Sequence, residues 1–325
     1  MIVLKFISFL VRLLPLGLAL WLGSILGAIA YWLIPSRRKI ALENIQKSLY
    51  SQPPTPDSQL ASRRIAKSVA RNMGQNAMEF LRLPSMDRAY MDKHIEWVGQ
   101  EHLDNALKLN RGVFILTAHL GNWDLVAAAI AMKGYPPAVP VHRDTAGDTR
   151  SYSAEAERPK YKVNIITKHL SVNVLNNFWL ATRAKMNITQ LYREGSLKQI
   201  ITALKNNELM GFILDQHTHK SEGVAVDFFG RPAWTATSLA VLAQRYNVPV
   251  VPCFIIRKSG GLPAEAKSAQ AGNHKIIFEP AVSIPEVDLR APDFEKRATQ
   301  IYTKILEKYI RQYPEQWIWM HRRWK

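Results

Sequence analysis

Cysteine is nearly absent: Cys253 is the only one in 325 residues. That scarcity excludes an internal disulfide framework and any multi-cysteine zinc site, and it fits a reducing compartment. Cys253 itself lies in an apolar run and reads as an inert core residue. Acidic side chains are few as well. Against 43 Lys and Arg stand 26 Asp and Glu, a net charge of +17 with a sequence pI of about 9.9. Such an excess implies an anionic partner: lipid head groups, an acidic carrier protein or nucleic acid. No helix-turn-helix, ribonucleoprotein motif or zinc finger supports nucleic acid, so it is not expected as a partner. Internal repeats and low-complexity tracts are missing too.

The apolar excess sits at the start. Leu13 to Ile34 is 22 residues without a charge, long enough for a bilayer core of about 30 Å. Lys5 and Arg12 precede it, Arg37-Arg38-Lys39 follow it, and Trp21, Tyr31 and Trp32 suit the interfaces. It is too long for a signal peptide and ends without an A-x-A cleavage site. A membrane anchor is the expectation, spanning the bilayer or lying in its interface with Pro15 bending it; a buried core helix is the alternative. The basic cluster keeps the remainder cytoplasmic. Gly23 and Gly27 permit a close helix contact.

Residues 1–35 are thus expected to form an anchor helix, 36–94 a helical segment packing on the core, and 95–325 an α/β domain. Helices are expected at Arg38–Leu49, Leu60–Leu83, His102–Asn110, Asp124–Met132, Val174–Lys185, Ser196–Asn206, Thr237–Tyr246 and Phe294–Tyr313. Apolar runs read as strands at Val113–Thr117, Ala138–His142, Val163–Thr167, Leu209–Leu214, Pro249–Ile256 and Lys275–Phe278. The polar stretch Asp144–Tyr161 is an excursion. Strands alternating with helices predict an α/β fold with a mainly parallel central sheet flanked by helices.

His119-Leu-Gly-Asn-Trp-Asp124 carries the chemistry. It follows a buried strand and opens a helix, the corner where open α/β sheets place ligands. A neutral imidazole there can take a proton from an alcohol, and a carboxylate can hold its tautomer. The motif holds no serine or cysteine, so the activated alcohol belongs to a substrate.

These residues resemble a known family. His119-x4-Asp124 looks like the first block of the glycerolipid and lysophospholipid acyltransferases, and Val248-Pro-Val-Val-Pro252 like their last. The tail Tyr313-Pro-Glu-Gln-Trp-Ile-Trp-Met-His-Arg-Arg-Trp324 resembles the C-terminus of the bacterial lipid A late acyltransferases, the lauroyl and myristoyl transferases. The N-terminal anchor, Asp215-Gln216 and Phe229-Gly-Arg-Pro232 do so too. The resemblance covers essentially the whole chain. It departs at Asp124, where many relatives carry glutamate, and at a family arginine replaced by Lys168, unless Arg143 fills that role.

The resemblance implies an O-acyltransferase of the inner membrane, with its catalytic domain on the cytoplasmic face. It would move an acyl chain from acyl carrier protein or coenzyme A to a hydroxyl of a lipid A precursor. No cofactor and no metal are expected. His119 would deprotonate the acceptor, with Asp124 orienting it. Asn122 and Trp123 would line the corner, or Asn122 would serve the turn. Arg193 would bind a phosphate or the developing oxyanion, or form a solvated pair at a helix start. Asp215, ending a buried strand, would hold Arg193 or Lys168. Its spacing to His217 and His219 also permits a metal reading, but no further ligand cluster accompanies it. Arg231, before Pro232 and a helix, would face an anionic head group or plain solvent. The basic, aromatic tail would pack over the sheet or meet the membrane. Acylation of another lipid, and a non-catalytic basic membrane- or nucleic-acid-binding protein, are the rival readings.

Overall fold

The computed structural model describes residues 2–50, 52–133, 161–167, 172–192, 195–258, 274–284 and 291–325. The expected strand Ala138–His142, Arg143, Lys168, Arg193 and nearly all of the polar excursion lie outside the described residues.

Apolar runs form the centre of the fold. Strands β1 (Ile95–Val98), β2 (Val113–Thr117), β3 (Val163–Thr167), β4 (Ile188–Tyr192), β5 (Leu209–Ile213), β8 (Val250–Arg257) and β9 (His274–Phe278) make one sheet in the order β1-β9-β8-β2-β5-β3-β4. Neighbours run parallel except β8 and β9. Every residue of β2 and β8 is buried, as expected of central strands covered on both faces. Val113 and Ile115 join one core cluster, Phe114 and Leu116 the other, following the period of two along a strand. The helices are α6 (Gln100–Leu107), α7 (Trp123–Lys133), α8 (Asn173–Lys185), α9 (Leu197–Lys205), α10 (Ser238–Tyr246) and α11 (Phe294–Gln312), after α5 (Arg88–His94). Asn187, Asn207 and Asn247 take left-handed conformations where α8, α9 and α10 end, a residue type that tolerates that region.

The parallel, helix-flanked sheet agrees with the sequence reading. One local expectation fails. Phe228-Phe-Gly-Arg-Pro does not lead directly into a helix; it turns a β-hairpin of β6 (Gly223–Phe228) and β7 (Arg231–Ala236). Phe229 and Gly230 both have positive φ, 59° and 74°, the backbone that a two-residue hairpin turn needs.

The N-terminal apolar stretch is two helices, α1 (Ile2–Leu13) and α2 (Leu16–Leu33), broken at Pro15. They are followed by α3 (Pro35–Leu49) and α4 (Pro56–Arg82). α2 is long and apolar enough to cross a membrane by length and composition. It packs antiparallel along α4, and Gly23 and Gly27 are the reason. A Cβ on Gly23 would stand 2.6 Å from the Gly74 carbonyl oxygen, and one on Gly27 only 2.1 Å from that of Ala70. Arg82 caps α1, its Nη1 donating to the carbonyls of Val11 and Leu14, both at 2.6 Å. The outer faces keep Phe6, Phe9, Leu13, Leu26, Ile29 and Trp32 exposed.

Candidate active site

β2 and β5 are adjacent and parallel, with Thr117 opposite Ile213. Two residues beyond those partners stand His119 and Asp215, side by side at the carboxyl edge of the sheet. His119 Nδ1 lies 2.8 Å from Asp215 Oδ1, and the His119 backbone N–H donates to Oδ2 at 2.9 Å. Trp317, from the tail, donates its Nε1–H to the same Oδ2 at 2.6 Å. Asp215 is buried. Burial alone pushes its carboxyl up, but the His119 charge and the donated bonds from His119 and Trp317 overcome that and hold it at about 2. A carboxylate on Nδ1 fixes the proton there and leaves Nε2 as the basic nitrogen. The Gln216 amide nitrogen sits 3.2 Å from that Nε2 and 3.4 Å from Nδ1, over the ring rather than in its plane, so it does not occupy the lone-pair direction a substrate hydroxyl would take. The Trp123 ring meets the imidazole edge-on, centroids 4.9 Å apart.

The expected pairing of Asp124 with His119 gives way to this one. His119 lies two residues past the strand, Gly121 turns the chain at φ 59°, and Asp124 falls in the first turn of α7. There it accepts from Arg183 Nε at 2.8 Å, Arg183 Nη2 at 2.5 Å and Trp179 Nε1 at 3.1 Å. The Arg183 guanidinium lies 3.7 Å from the centroid of the Trp179 ring. Asp124 thus ties α8 to α7 beside the site, and Asp215, expected to hold Arg193 or Lys168, is the carboxylate on the histidine.

Asn122 belongs to the scaffold of the corner. Its Oδ1 accepts from the Leu125 N–H at 3.2 Å, capping α7, and its Nδ2 donates to Glu79 Oε2 at 2.7 Å. Glu79, on α4, is fully buried and takes a bidentate pair from Arg257 at 2.6 and 2.8 Å. Burial favours the protonated acid, yet the charges of Arg257 and His274 outweigh it and hold Glu79 at about 2. Asn76 donates to the Gly121 carbonyl at 2.6 Å and accepts from Arg257 at 2.8 Å. Gly121 has no room for a side chain: a Cβ would lie 2.0 Å from the Ile255 carbonyl oxygen. The sequence reading missed Glu79, Arg257, Arg183 and Gln216's contact. A charge closing the apolar run of β8 was the available signal for Arg257.

The tail packs over the sheet. Trp317 and Trp319 are buried, and the Gly121 N–H donates to the Gln316 carbonyl at 3.0 Å. His321 feels both Asp215 and His119, and burial pushes its imidazole down to about 4, leaving it neutral at pH 7. Arg231 opens β7, not a helix, and lies 3.7 Å from the centroid of the Trp324 ring. His219 bonds Ser221 Oγ at 2.8 Å, and no group of three metal-ligating side chains gathers among the described residues.

The chain is similar to enzymes of known name. It is 26% identical to the lipid A biosynthesis lauroyltransferase of Escherichia coli strain K12, over 98% of this chain and 89% of the relative. It is 23% identical to the palmitoleoyltransferase of the same strain, over 96% and 86%. A lipid A biosynthesis acyltransferase of Shigella flexneri matches to the same degree, 23% over 96% and 86%. The family model described as bacterial lipid A biosynthesis acyltransferase matches residues 2–147 and 157–325. With a match across nearly its whole length, this chain belongs to the bacterial lipid A biosynthesis acyltransferase family.

Proposed function

We propose that the protein transfers a fatty acyl chain from a thioester, on acyl carrier protein or coenzyme A, to a hydroxyl of a lipid A precursor. The observation that carries this is the His119–Asp215 pair at the strand-to-helix corner. His119 Nε2 takes the hydroxyl proton while Asp215 supports the charge on the ring. The alkoxide oxygen attacks the thioester carbonyl, the carbon–sulfur bond breaks, and the imidazolium returns its proton to the leaving thiolate. The products are an ester and a free thiol. The donor is already activated, so neither an enzyme nucleophile nor a cofactor is required.

The donor chain lies in the apolar groove of about 320 Å³ bounded by Leu4, Phe80, Trp123, Leu175, Phe178 and Trp179. It opens at Asp124 and Trp123, beside His119. The Asp124–Arg183 pair holds one wall of this groove in place. The exposed apolar faces of α1 and α2 seat the protein in the cytoplasmic leaflet of the inner membrane, where Lys and Arg meet anionic lipid. An in-plane seat is favoured over a span. α2 packs along α4, and crossing the bilayer would carry Lys67 and Arg71 into hydrocarbon.

The test is transfer of radiolabelled acyl groups from acyl carrier protein to a lipid A precursor in detergent micelles. Wild-type protein should produce labelled lipid, and His119→Ala should not. Equal labelling by a folded His119→Ala protein would overturn the assignment of the base.

A further inference from the structure

Two apolar grooves, not one, run along α4. The second, of about 310 Å³, lies between α2, α3 and α4 and reaches Met320, next to His321. Its floor is made of small residues, among them Ala30, Ala66, Ala70 and Gly74. Met73 and Ala77 line both grooves, so α4 divides them where they come closest. Both volumes fall within the range of small-molecule pockets, about 300–1,000 Å³.

The two differ in charge. The first has no cation among its described lining residues; its polar members are Asn76, Asn122 and Asp124. The second has Arg37 and Arg38 and no carboxylate. The Arg38 guanidinium is held 5.5 Å from the centroid of the Tyr31 ring and 5.2 Å from that of Trp32. Such stacking leaves the N–H edge of a guanidinium available to phosphate oxygens. Arg37 Nη1 donates to the Met320 carbonyl at 3.3 Å, linking this rim to the tail that supports Asp215.

We propose that the second groove binds an acyl chain of the anionic lipid acceptor, with Arg37 and Arg38 facing its phosphorylated head group. The proposal rests on the reading of the protein as a lipid acyltransferase with its donor chain in the first groove. A thioester-borne chain is neutral, and the groove without a cation suits it. A phosphorylated glycolipid pairs apolar chains with negative charge, and the groove with the arginine rim matches both. Two substrates then approach His119 from the two sides of α4, and their chains never compete for one site.

Filling each groove in turn tests this. Ala30 lines only the second and is partly exposed on α2; Leu175 lines only the first and is exposed on α8. Steady-state transfer from labelled acyl carrier protein to a lipid A precursor in micelles gives a KM for each substrate. Ala30→Trp should raise the acceptor KM by about tenfold or more and leave the donor KM unchanged, while Leu175→Trp should do the reverse. Arg38→Ala should raise the KM of the phosphorylated acceptor and not that of its dephosphorylated form. It keeps the groove testable if Ala30→Trp folds poorly. An unchanged acceptor KM in a folded Ala30→Trp protein, or equal effects of the two tryptophans on both substrates, would overturn the assignment. A second measurement separates this failure from failure of the reaction itself. A phosphatidic acid bearing a diazirine in its chain should cross-link to α2 and α4 peptides of the wild type and less to Arg38→Ala. Cross-linking without any acyl transfer would overturn the transferase reading alone; transfer without cross-linking there would overturn the groove.

Discussion

The candidate catalytic corner and α2 sit on different faces of α4 and solve opposite problems. At the corner, polar groups are buried and matched. Asp215 accepts three hydrogen bonds, and Glu79 accepts three through Arg257 and Asn122. Rotating either carboxylate would orphan a buried charge. The N-terminal pair is joined to the body by close backbone contact at Gly23 and Gly27 and leaves large apolar side chains in the open, Trp32 at 62% exposure and Leu33 at 74%. An acyl-transfer site needs fixed geometry around the base. A protein that takes its acceptor from a bilayer needs a surface adapted to lipid. α4 serves both, giving Glu79 to the corner and Ala70 and Gly74 to the helix pair.

The sharpest way to break the comparison is at the base. His119→Ala should lower acyl transfer by about 10²–10⁴-fold, the usual contribution of a general base, in a protein that still folds but melts at a lower temperature, because buried Asp215 loses one of its three hydrogen bonds. Asp215→Asn should cost a similar factor. It should lower kcat and leave the donor KM little changed. Asp124→Asn should act through the groove wall instead, raising the donor KM more than it lowers kcat. The opposite split between the two variants would exchange the roles of the two carboxylates. Prolonged EDTA treatment should leave the rate untouched; loss of activity restored by zinc would bring Asp215, His217 and His219 back as ligands.

Next in size is the scaffold. Glu79→Ala leaves Arg257 buried without its partner, and breaking such a pair costs about 3–5 kcal/mol. The pH dependence has a definite sign. Glu79 is held at about 2 from its ordinary 4.5, so between those values the unfolded chain binds the extra proton. The stabilisation is therefore complete above about pH 4.5 and is lost as pH falls towards 2. Urea melts across that window should steepen in wild type relative to Glu79→Gln. Parallel curves would mean that Glu79 titrates alike in both states.

These two regions also differed in how legible they were. Strand β2 and strand β3 have the bounds that their apolar runs suggested, and the motif singled out His119 at the strand-to-helix corner where it stands. The central sheet was readable because fully buried parallel strands are continuous apolar runs. Its strand β4, Ile-Thr-Gln-Leu-Tyr, was not, because it mixes polar and apolar residues over five positions. Asp215 was recognisable as a site residue, but not as the partner of His119, 96 residues away. Only the register of β2 with β5 brings them together. Glu79 and Arg257 lie 178 residues apart, and local pattern carries no trace of such a pair. The helix pair was legible as an apolar run with a bend at Pro15 and a close contact at Gly23 and Gly27, whereas its seat on α4 depends on Gly74 and Ala70.

The smallest expected effect sharpens the other side of the comparison. Trp32 is exposed on α2, with Arg38 and Lys67 within 6 Å of its ring. If this face enters the leaflet, Trp32→Gln withdraws apolar surface from lipid. Partial burial of a large side chain is worth about 1–2 kcal/mol, below the about 1.5–3 kcal/mol of full burial. Partitioning onto anionic vesicles should then fall by roughly five- to thirtyfold, with kcat at saturating acceptor in detergent unchanged because no contact of the corner is touched. Arg63 and Arg64 are exposed on α4, and each contributes about 1 kcal/mol near an anionic surface, lost as salt screens it. Arg63→Gln should therefore weaken vesicle binding at low salt and not at high salt, while Trp32→Gln weakens it at both. Sedimentation with vesicles at two salt concentrations separates the cases. Equal salt dependence for the two variants would mean that the apolar face stays out of the lipid and that charge alone holds the protein there.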